Sequence, residues 1–167
     1  MKHFGVLAFA WFASDRLSKS WVASHLHLYE RVPFLGQSFL VLSRTLNKGL
    51  AFDSFSWIPE PYISPYIRYL PSLIWLGLAT LVALRWHLAA RLERSGYALM
   101  ISGGASNLFD HWRDSYVTDT IQLYIGRGNY MPMNLADIAL VTGLVLVVLG
   151  TARELFGANP RAVYCNE

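Results

Sequence analysis

The chain has 167 residues, 54% of them hydrophobic and only 15% charged, with a formal net charge of +3. A soluble domain carries about 25% charged residues, so this chain is too apolar to be comfortable in water, and its length fits one domain. Its Lys and Arg residues are scattered, which argues against a nucleic-acid-binding face, and its single cysteine, Cys165, can form no internal disulfide.

Four segments approach the about 20 mainly apolar residues that a membrane-spanning helix needs. The first covers about 4–23 and is interrupted by Asp15, Arg16 and Lys19. Its Lys2, apolar stretch and Ala8-Phe9-Ala10 have the outline of a secretory signal. A cut there would fall inside the apolar run, however, so an uncleaved first helix is the better reading. Residues 27–68 differ in character. Within them, 38–45 is a short apolar run ending in partial alternation and Asn47-Lys48-Gly49 is a turn signal, which together predict a small sheet. Pro59, Pro61, Pro65 and Pro71 then punctuate Tyr62, Tyr66 and Tyr69, a spacing that predicts an irregular interfacial approach rather than one regular helix.

The second predicted span covers about 69–86 and reads as the cleanest of the four. The third, about 97–112, carries Ser102, Gly103, Gly104 and Ser106, small residues that let helices approach closely in lipid, and is predicted to be central. Residues 118–125 alternate polar and apolar, and Gly126-Arg127-Gly128-Asn129 is a second turn signal. The fourth span covers about 134–152. Arg85, Arg91 and Arg94 around the short loop between spans two and three favour a cytoplasmic loop, and with four spans both termini then lie in the cytoplasm. Arg31, Arg44, Lys48 and Arg68 on the other side keep that bias shallow.

Against this apolar background the polar groups stand out, because an ionisable side chain at membrane depth costs about 2.5–3.5 kcal/mol on insertion scales. Asp119 and Asp137 lie at the borders of apolar segments, and two such carboxylates point to acid/base chemistry. Asn134 and Asp137 are i,i+3 at a helix start, where capping alone accounts for either residue. Asp15 and Lys19 are i,i+4 with the acid first, which suits a structural ion pair better than a direct catalytic role. Asn107 and Asp110 are i,i+3, with Asp114 one turn further, so the three are expected on one face. The histidines, including the pair His25 and His27, show no metal-ligand spacing, and Ser18 and Lys19 are adjacent and so point to different helix faces.

Asp15-Arg-Leu-Ser-Lys19, Asn47-Lys-Gly-Leu-Ala-Phe52, Ser102-Gly-Gly-Ala-Ser-Asn-Leu-Phe-Asp110, Val117-Thr-Asp119 and Asn134-Leu-Ala-Asp137 occur in the order and spacing of the bacterial lipoprotein signal peptidases. Over nearly its whole length the chain resembles that family. The resemblance implies a mainly α, four-helix, multi-pass aspartyl protease of the inner membrane with a small extracytoplasmic β-sheet cradle. It implies one peptidase domain over 1–167, both termini cytoplasmic, acting as a monomer. The substrate implied is a prolipoprotein signal peptide, cut just before a lipid-modified cysteine, with membrane lipid as the surroundings and neither metal nor cofactor.

By motif position Asp119 and Asp137 are implied as the catalytic pair. Asn47, Gly49, Asn107 and Asn134 are implied to line the site, with Asp15, Lys19, Asp110 and Ala136 supporting it. The chain departs from the family pattern at three places: His111 stands where Arg is usual, Thr120 where Phe is usual after the aspartate, and Met133 where Phe usually precedes Asn134. Two other readings fit fewer of these features. A catalytically altered member binding lipidated peptides would use the same fold, and a small proton-coupled transporter would use the carboxylates alone, although no paired repeat supports it.

Overall fold

The computed structural model describes residues 2–35, 39–47, 60–126 and 128–157. In chain order they form α1 (Lys2–His25), β1 (Arg31–Leu35), β2 (Leu40–Asn47), α2 (Glu60–Arg85), α3 (Arg91–Asp114), β3 (Val117–Gly126), β4 (Asn129–Met133) and α4 (Leu135–Gly157). The strands make one antiparallel sheet in the order β1-β2-β3-β4. The architecture is therefore mostly helical with a small sheet, as the sequence implied.

Helix α3 is the centre of the bundle and packs on α1, α2 and α4. Small residues make this possible. Gly96 faces Gly143 so closely that a Cβ on Gly96 would lie 2.5 Å from the Gly143 carbonyl oxygen, and a Cβ on Gly103 would collide with the Ala136 carbonyl. On the other side of α3, Gly104 accommodates Trp75 of α2, whose Nε1–H donates to the Ile101 carbonyl at 3.0 Å. At the end of the bundle away from the sheet, buried Glu93 accepts from the Ala90 N–H (3.0 Å) and the Thr151 hydroxyl (2.6 Å), joining the start of α3 to α4.

Burial is inverted relative to a water-soluble bundle. Asp15, Lys19, Ser106, Asp110 and Asn134 are inside, while Val6, Phe9, Leu17, Leu73, Ile74, Leu76, Leu84, Val141, Val145 and Val148 face outward. Contiguous apolar surface of this kind marks a membrane or protein contact. Among the described residues one helix is long and apolar enough to cross a membrane by composition, Leu135–Phe156 in α4, with a mean hydropathy of 2.2. The expectation that the second segment would be the cleanest span is therefore corrected. In α1 and α3, inward-facing charges lower an average that takes no account of which face they occupy.

Helix α2 brings a second correction. It begins at Glu60 rather than about residue 69 and runs through Pro61, Pro65 and Pro71, so the segment expected to be irregular is helical, and the connecting region is shorter than 27–68. Pro61 falls in the first turn, where a backbone N–H has no helical partner in any case. Interior prolines persist where neighbouring helices and hydroxyl side chains satisfy the backbone.

The sheet matches the sequence signals at β2 and β3. The β3–β4 turn uses Gly126 (φ 99°) and Gly128 (φ 79°), a left-handed region that glycine enters without strain. Strands β1 and β4 were not anticipated. Each contains a proline, Pro33 or Pro132, which is tolerated because each strand lies at an edge of the sheet. The Asn47-Lys48-Gly49 turn lies outside the described residues beyond Asn47.

The close α3–α4 contact generates a signed prediction. Gly96→Ala or Gly143→Ala should destabilise the protein by about 1–3 kcal/mol through overpacking. Gly5→Ala and Gly77→Ala, with nothing within 4 Å of the added Cβ, should be neutral or stabilising by up to about 1 kcal/mol. Thermal unfolding of the four purified variants checks both signs.

Candidate active site

Strand pairing brings the first half of the site together. In the antiparallel β2–β3 register Asn47 lies opposite Val117, and Asp119 is two residues further along the same face of β3. Asn47, Val117 and Asp119 accordingly line one cavity. Thr120 points to the opposite face, where it is buried with an unpartnered hydroxyl. Its departure from the family pattern therefore falls away from the two carboxyl groups, not beside them.

The second half is built at the start of α4. The Asn134 Oδ1 accepts from the Asp137 N–H, and the Asp137 Oδ2 accepts from the Asn134 N–H, both at 3.0 Å. This is a reciprocal capping box, so the capping explanation of these residues is realised. It does not exhaust their role. The Asn134 Nδ2 also donates to Asp119 Oδ1 at 3.0 Å, so a single buried carboxamide touches both acidic residues.

The remaining polar residues hold this pair in place. Asp137 Oδ1 accepts from Asn107 Nδ2 at 2.8 Å, and Asn107 Oδ1 accepts from Lys19 Nζ at 2.9 Å. The ammonium thereby fixes which end of the Asn107 amide faces Asp137. Lys19 also pairs with Asp15 at 2.7 Å and Asp110 at 2.8 Å. Asp15 in turn accepts from the Ser106 hydroxyl (2.6 Å) and from the Ala136 N–H (2.9 Å). Ala136 thus supports the site through its backbone, while its small side chain packs wholly buried beside α3.

Asp15, Lys19, Asn47, Asn107, Asp110, Asp119, Asn134, Ala136 and Asp137 are all brought to this region. Gly49 lies outside the described residues. Asp114, one turn beyond Asp110 on α3, pairs with its exposed neighbour Arg113 at 2.8 Å rather than with the buried network. Arg16 was not singled out as a site residue, yet it pairs with Asp110 and lies over the Phe109 ring, 4.7 Å from its centroid. Charge balance was the available signal: two acids, Asp15 and Asp110, buried around Lys19 require a second cation.

The cavity at the carboxyl groups has a volume of ≈ 420 Å³. Leu70, Pro71, Ile74, Trp75 and Leu78 of α2 form an apolar wall, and the polar groups gather around Asp119 and Asp137. Asp119, on β3 and outside the helices, is buried, and its Oδ2 makes no hydrogen bond of ordinary geometry among the described residues. Burial first, and then the neighbouring Asp137 charge, push its pKa from 3.8 up to about 7, against opposing contributions from Asn134, Lys19 and Asn47. The arrangement can hold a proton at neutral pH beside a second carboxyl group.

The shared cation generates a prediction. Lys19→Met leaves Asp15 and Asp110 facing each other without the ammonium, and breaking such a buried pair costs about 3–5 kcal/mol. The variant should unfold at a markedly lower temperature. Where it still folds, turnover should fall as well, because Asn107 loses the contact that orients it.

Comparison with known proteins places this site in a family. Residues 7–153 match the model of the family described as signal peptidase (SPase) II. A lipoprotein signal peptidase of Shewanella sp. (strain MR-4) is 34% identical over 140 residues, covering 82% of this chain and 78% of the relative. One from Yersinia pseudotuberculosis serotype O:1b (strain IP 31758) is 33% identical over 137 residues, covering 80% and 77%. The fold is similar to that of a solved bacterial membrane enzyme, with a TM-score of 0.79 over 96% of this chain and 93% of the other at 16% identity. A second such structure gives 0.75 at 17% identity. The chain belongs to the signal peptidase II family.

Proposed function

We propose that this chain removes signal peptides from lipid-modified prolipoproteins, cutting before the diacylglyceryl cysteine, with Asp119 and Asp137 as its catalytic pair. The observation that carries the reading is the Asn134 carboxamide, which joins the two acidic residues beside a cavity with an apolar wall. Family membership supports the peptidase activity, and the buried carboxyl pair supports the aspartyl type.

The hydrogen bonds divide the labour. Both oxygens of Asp137 accept N–H donors, which suits the ionised form, whereas Asp119 Oδ2 has no partner of ordinary hydrogen-bond geometry among the described residues and can carry a proton. Asp137 acts as the general base that draws a proton from the attacking water. Asp119 donates through Oδ2 to the scissile carbonyl as negative charge develops there. Asn47 and Asn107 orient the reacting groups, and Lys19, Asp15, Asp110 and the Ala136 backbone keep them in place. The apolar wall from α2 suits the hydrophobic segment of a signal peptide.

The enzyme works as one multi-pass domain in the inner membrane, as a monomer, with its sheet extracytoplasmic and both termini in the cytoplasm. The outward apolar faces support this placement, as do helix lengths of 24, 26, 24 and 23 residues. At 1.5 Å per residue such helices exceed the about 30 Å hydrocarbon core. Arg85, Arg91 and Arg94 cluster at the α2–α3 turn, the end remote from the sheet.

Asp119→Asn and Asp137→Asn should each lower cleavage of a prolipoprotein in detergent by at least about 100-fold. Near-normal turnover by either variant would sink the assignment. A pH profile provides a second check. The folded-state pKa of Asp119, about 7, lies above the ordinary 3.8. The bound proton therefore adds stability that is fully present below pH 3.8 and is lost as pH rises through about 7. Activity should decline along the same alkaline limb as the pair loses its proton, and a rate that stays level to about pH 9 would contradict these acid and base roles.

A further inference from the structure

A second cavity lies toward the end of the bundle remote from the sheet and shares no residue with the one at Asp119 and Asp137. Helices α1 and α2 both pack on α3 but scarcely on each other, apart from the edge of Phe4 against the Trp86 ring, 5.5 Å between centroids. The slot between them has a volume of ≈ 300 Å³. Phe4 and Ala8 form one wall, Val82 and Trp86 the other, and Tyr97 and Ile101 of α3 the floor.

The floor ends in a charge. Arg94 precedes Tyr97 by three residues and Ile101 by seven, so it shares their face of α3. Its guanidinium lies 5.9 Å from the Trp86 ring centroid, and donates from Nε to the Trp86 carbonyl (3.1 Å) and from Nη2 to the His87 carbonyl (3.4 Å). Both acceptors are neutral, and Nη1 has no partner among the described residues. Lys2 and Arg85, exposed at the same end of α1 and α2, make no ion pair among the described residues either. The acids at this end are turned elsewhere. Glu93 is buried and accepts from the Ala90 N–H and the Thr151 hydroxyl, and Glu154 lines a different cavity with Arg91 and Arg153.

We propose that the slot binds an anionic phospholipid of the leaflet remote from the sheet, with its phosphate on Arg94 and one acyl chain between α1 and α2. The dimensions select a chain. From Arg94 to Ile101 is about 10 Å at 1.5 Å per residue, which fits inside one leaflet of an about 30 Å hydrocarbon core. A volume of ≈ 300 Å³ over that length is about 6 Å across, too narrow for a helix of about 10–12 Å diameter. The charge selects the head group. Basic pockets between spanning helices hold anionic head groups, and a guanidinium nitrogen with free N–H groups makes charge-assisted hydrogen bonds to phosphate. The usual excess of basic residues in cytoplasmic loops accounts for Lys2 and Arg85, but not for an arginine seated at the end of an apolar slot. The proposal rests on the placement of the helices in a bilayer and is independent of the peptidase chemistry.

Native mass spectrometry of the full chain in detergent tests it, with dioleoyl phosphatidylglycerol (one net negative charge) and dioleoyl phosphatidylcholine (none) as probes. The native protein should retain one phosphatidylglycerol about five-fold or more in preference to phosphatidylcholine, the size of one basic residue beside an anionic lipid. Arg94→Gln keeps an amide donor for the α2 carbonyls and should remove that preference. Gly5→Leu places a side chain in the slot, where an added Cβ meets nothing within 4 Å, and should retain neither lipid. Without lipid it should unfold at the native temperature or above, and added phosphatidylglycerol should raise the unfolding temperature of the native protein but not of Gly5→Leu.

Equal retention of the two lipids by the native protein overturns the proposal. So does a preference that survives in Arg94→Gln, or native-level retention of phosphatidylglycerol by Gly5→Leu. A dimer that forms without lipid and is lost in Gly5→Leu gives the slot to a second copy of the chain instead. Should Arg94→Gln fail to fold, the native preference and its loss in Gly5→Leu still decide.

Discussion

The ammonium of Lys19 is the constraint on which the site depends. A lysine head group has three N–H donors, and Lys19 hydrogen-bonds Asn107 while pairing electrostatically with Asp15 and Asp110, all within 2.9 Å. Each contact leads to a different part of the fold. Through Asp15 it reaches the start of α4, through Asp110 the end of α3, and through Asn107 the carboxyl group of Asp137. Removing two ions from water is costly, and such a network persists only when every member is paired. Arg16 completes the balance, giving two cations for two acids. The charge that the cavity carries therefore belongs to Asp119 and Asp137.

That neutral foundation explains how two residues of one chemical type acquire different roles. Asp137 begins a helix and is held by N–H groups on both oxygens. Asp119 comes from a strand and accepts from the side chains of Asn134 and Asn47, without the backbone N–H that Asp137 has. Asn134 contacts both through one amide and so couples the end of the sheet to the start of the helix. The asymmetry comes from the elements that present the two side chains, and either residue placed on the other's scaffold would lose it.

Much of this is legible in the amino-acid sequence, for a physical reason: charged and amide side chains are costly beside lipid, so each one present marks a contact. Asp119, Asp137 and their three asparagine companions stood out in that way. So did the glycines and serines of α3, whose small size has no other use in the middle of an apolar helix. What could not be read depends on partners distant in sequence. Strands β1 and β4 are short, contain proline and exist because β2 and β3 supply hydrogen bonds to them. Helix α2 continues through Pro65 and Pro71, whereas local rules place an irregular segment there. Arg16 read as an interruption of an apolar run because its partner, Asp110, lies 94 residues away.

The dependence on distant pairing reaches the chemistry itself. Side chains alternate along a strand, so a one-residue slip between β2 and β3 would turn Asp119 away from Asn134 and bring Thr120 into the cavity. The register is set by an irregularity between Leu42 and Thr45, after which Thr45 pairs with Asp119 and Asn47 with Val117. Bulges of this kind re-aim side chains and fix strand register. Across the bulge, Gln122 of β3 donates to Thr45 Oγ1 at 2.8 Å, a contact between the two strands outside their backbone ladder. The sheet thus does more than frame the cavity: its register selects which residue of β3 meets the helix-borne acid. An aspartyl pair assembled from one strand and one helix depends as much on that backbone irregularity as on the carboxyl groups themselves.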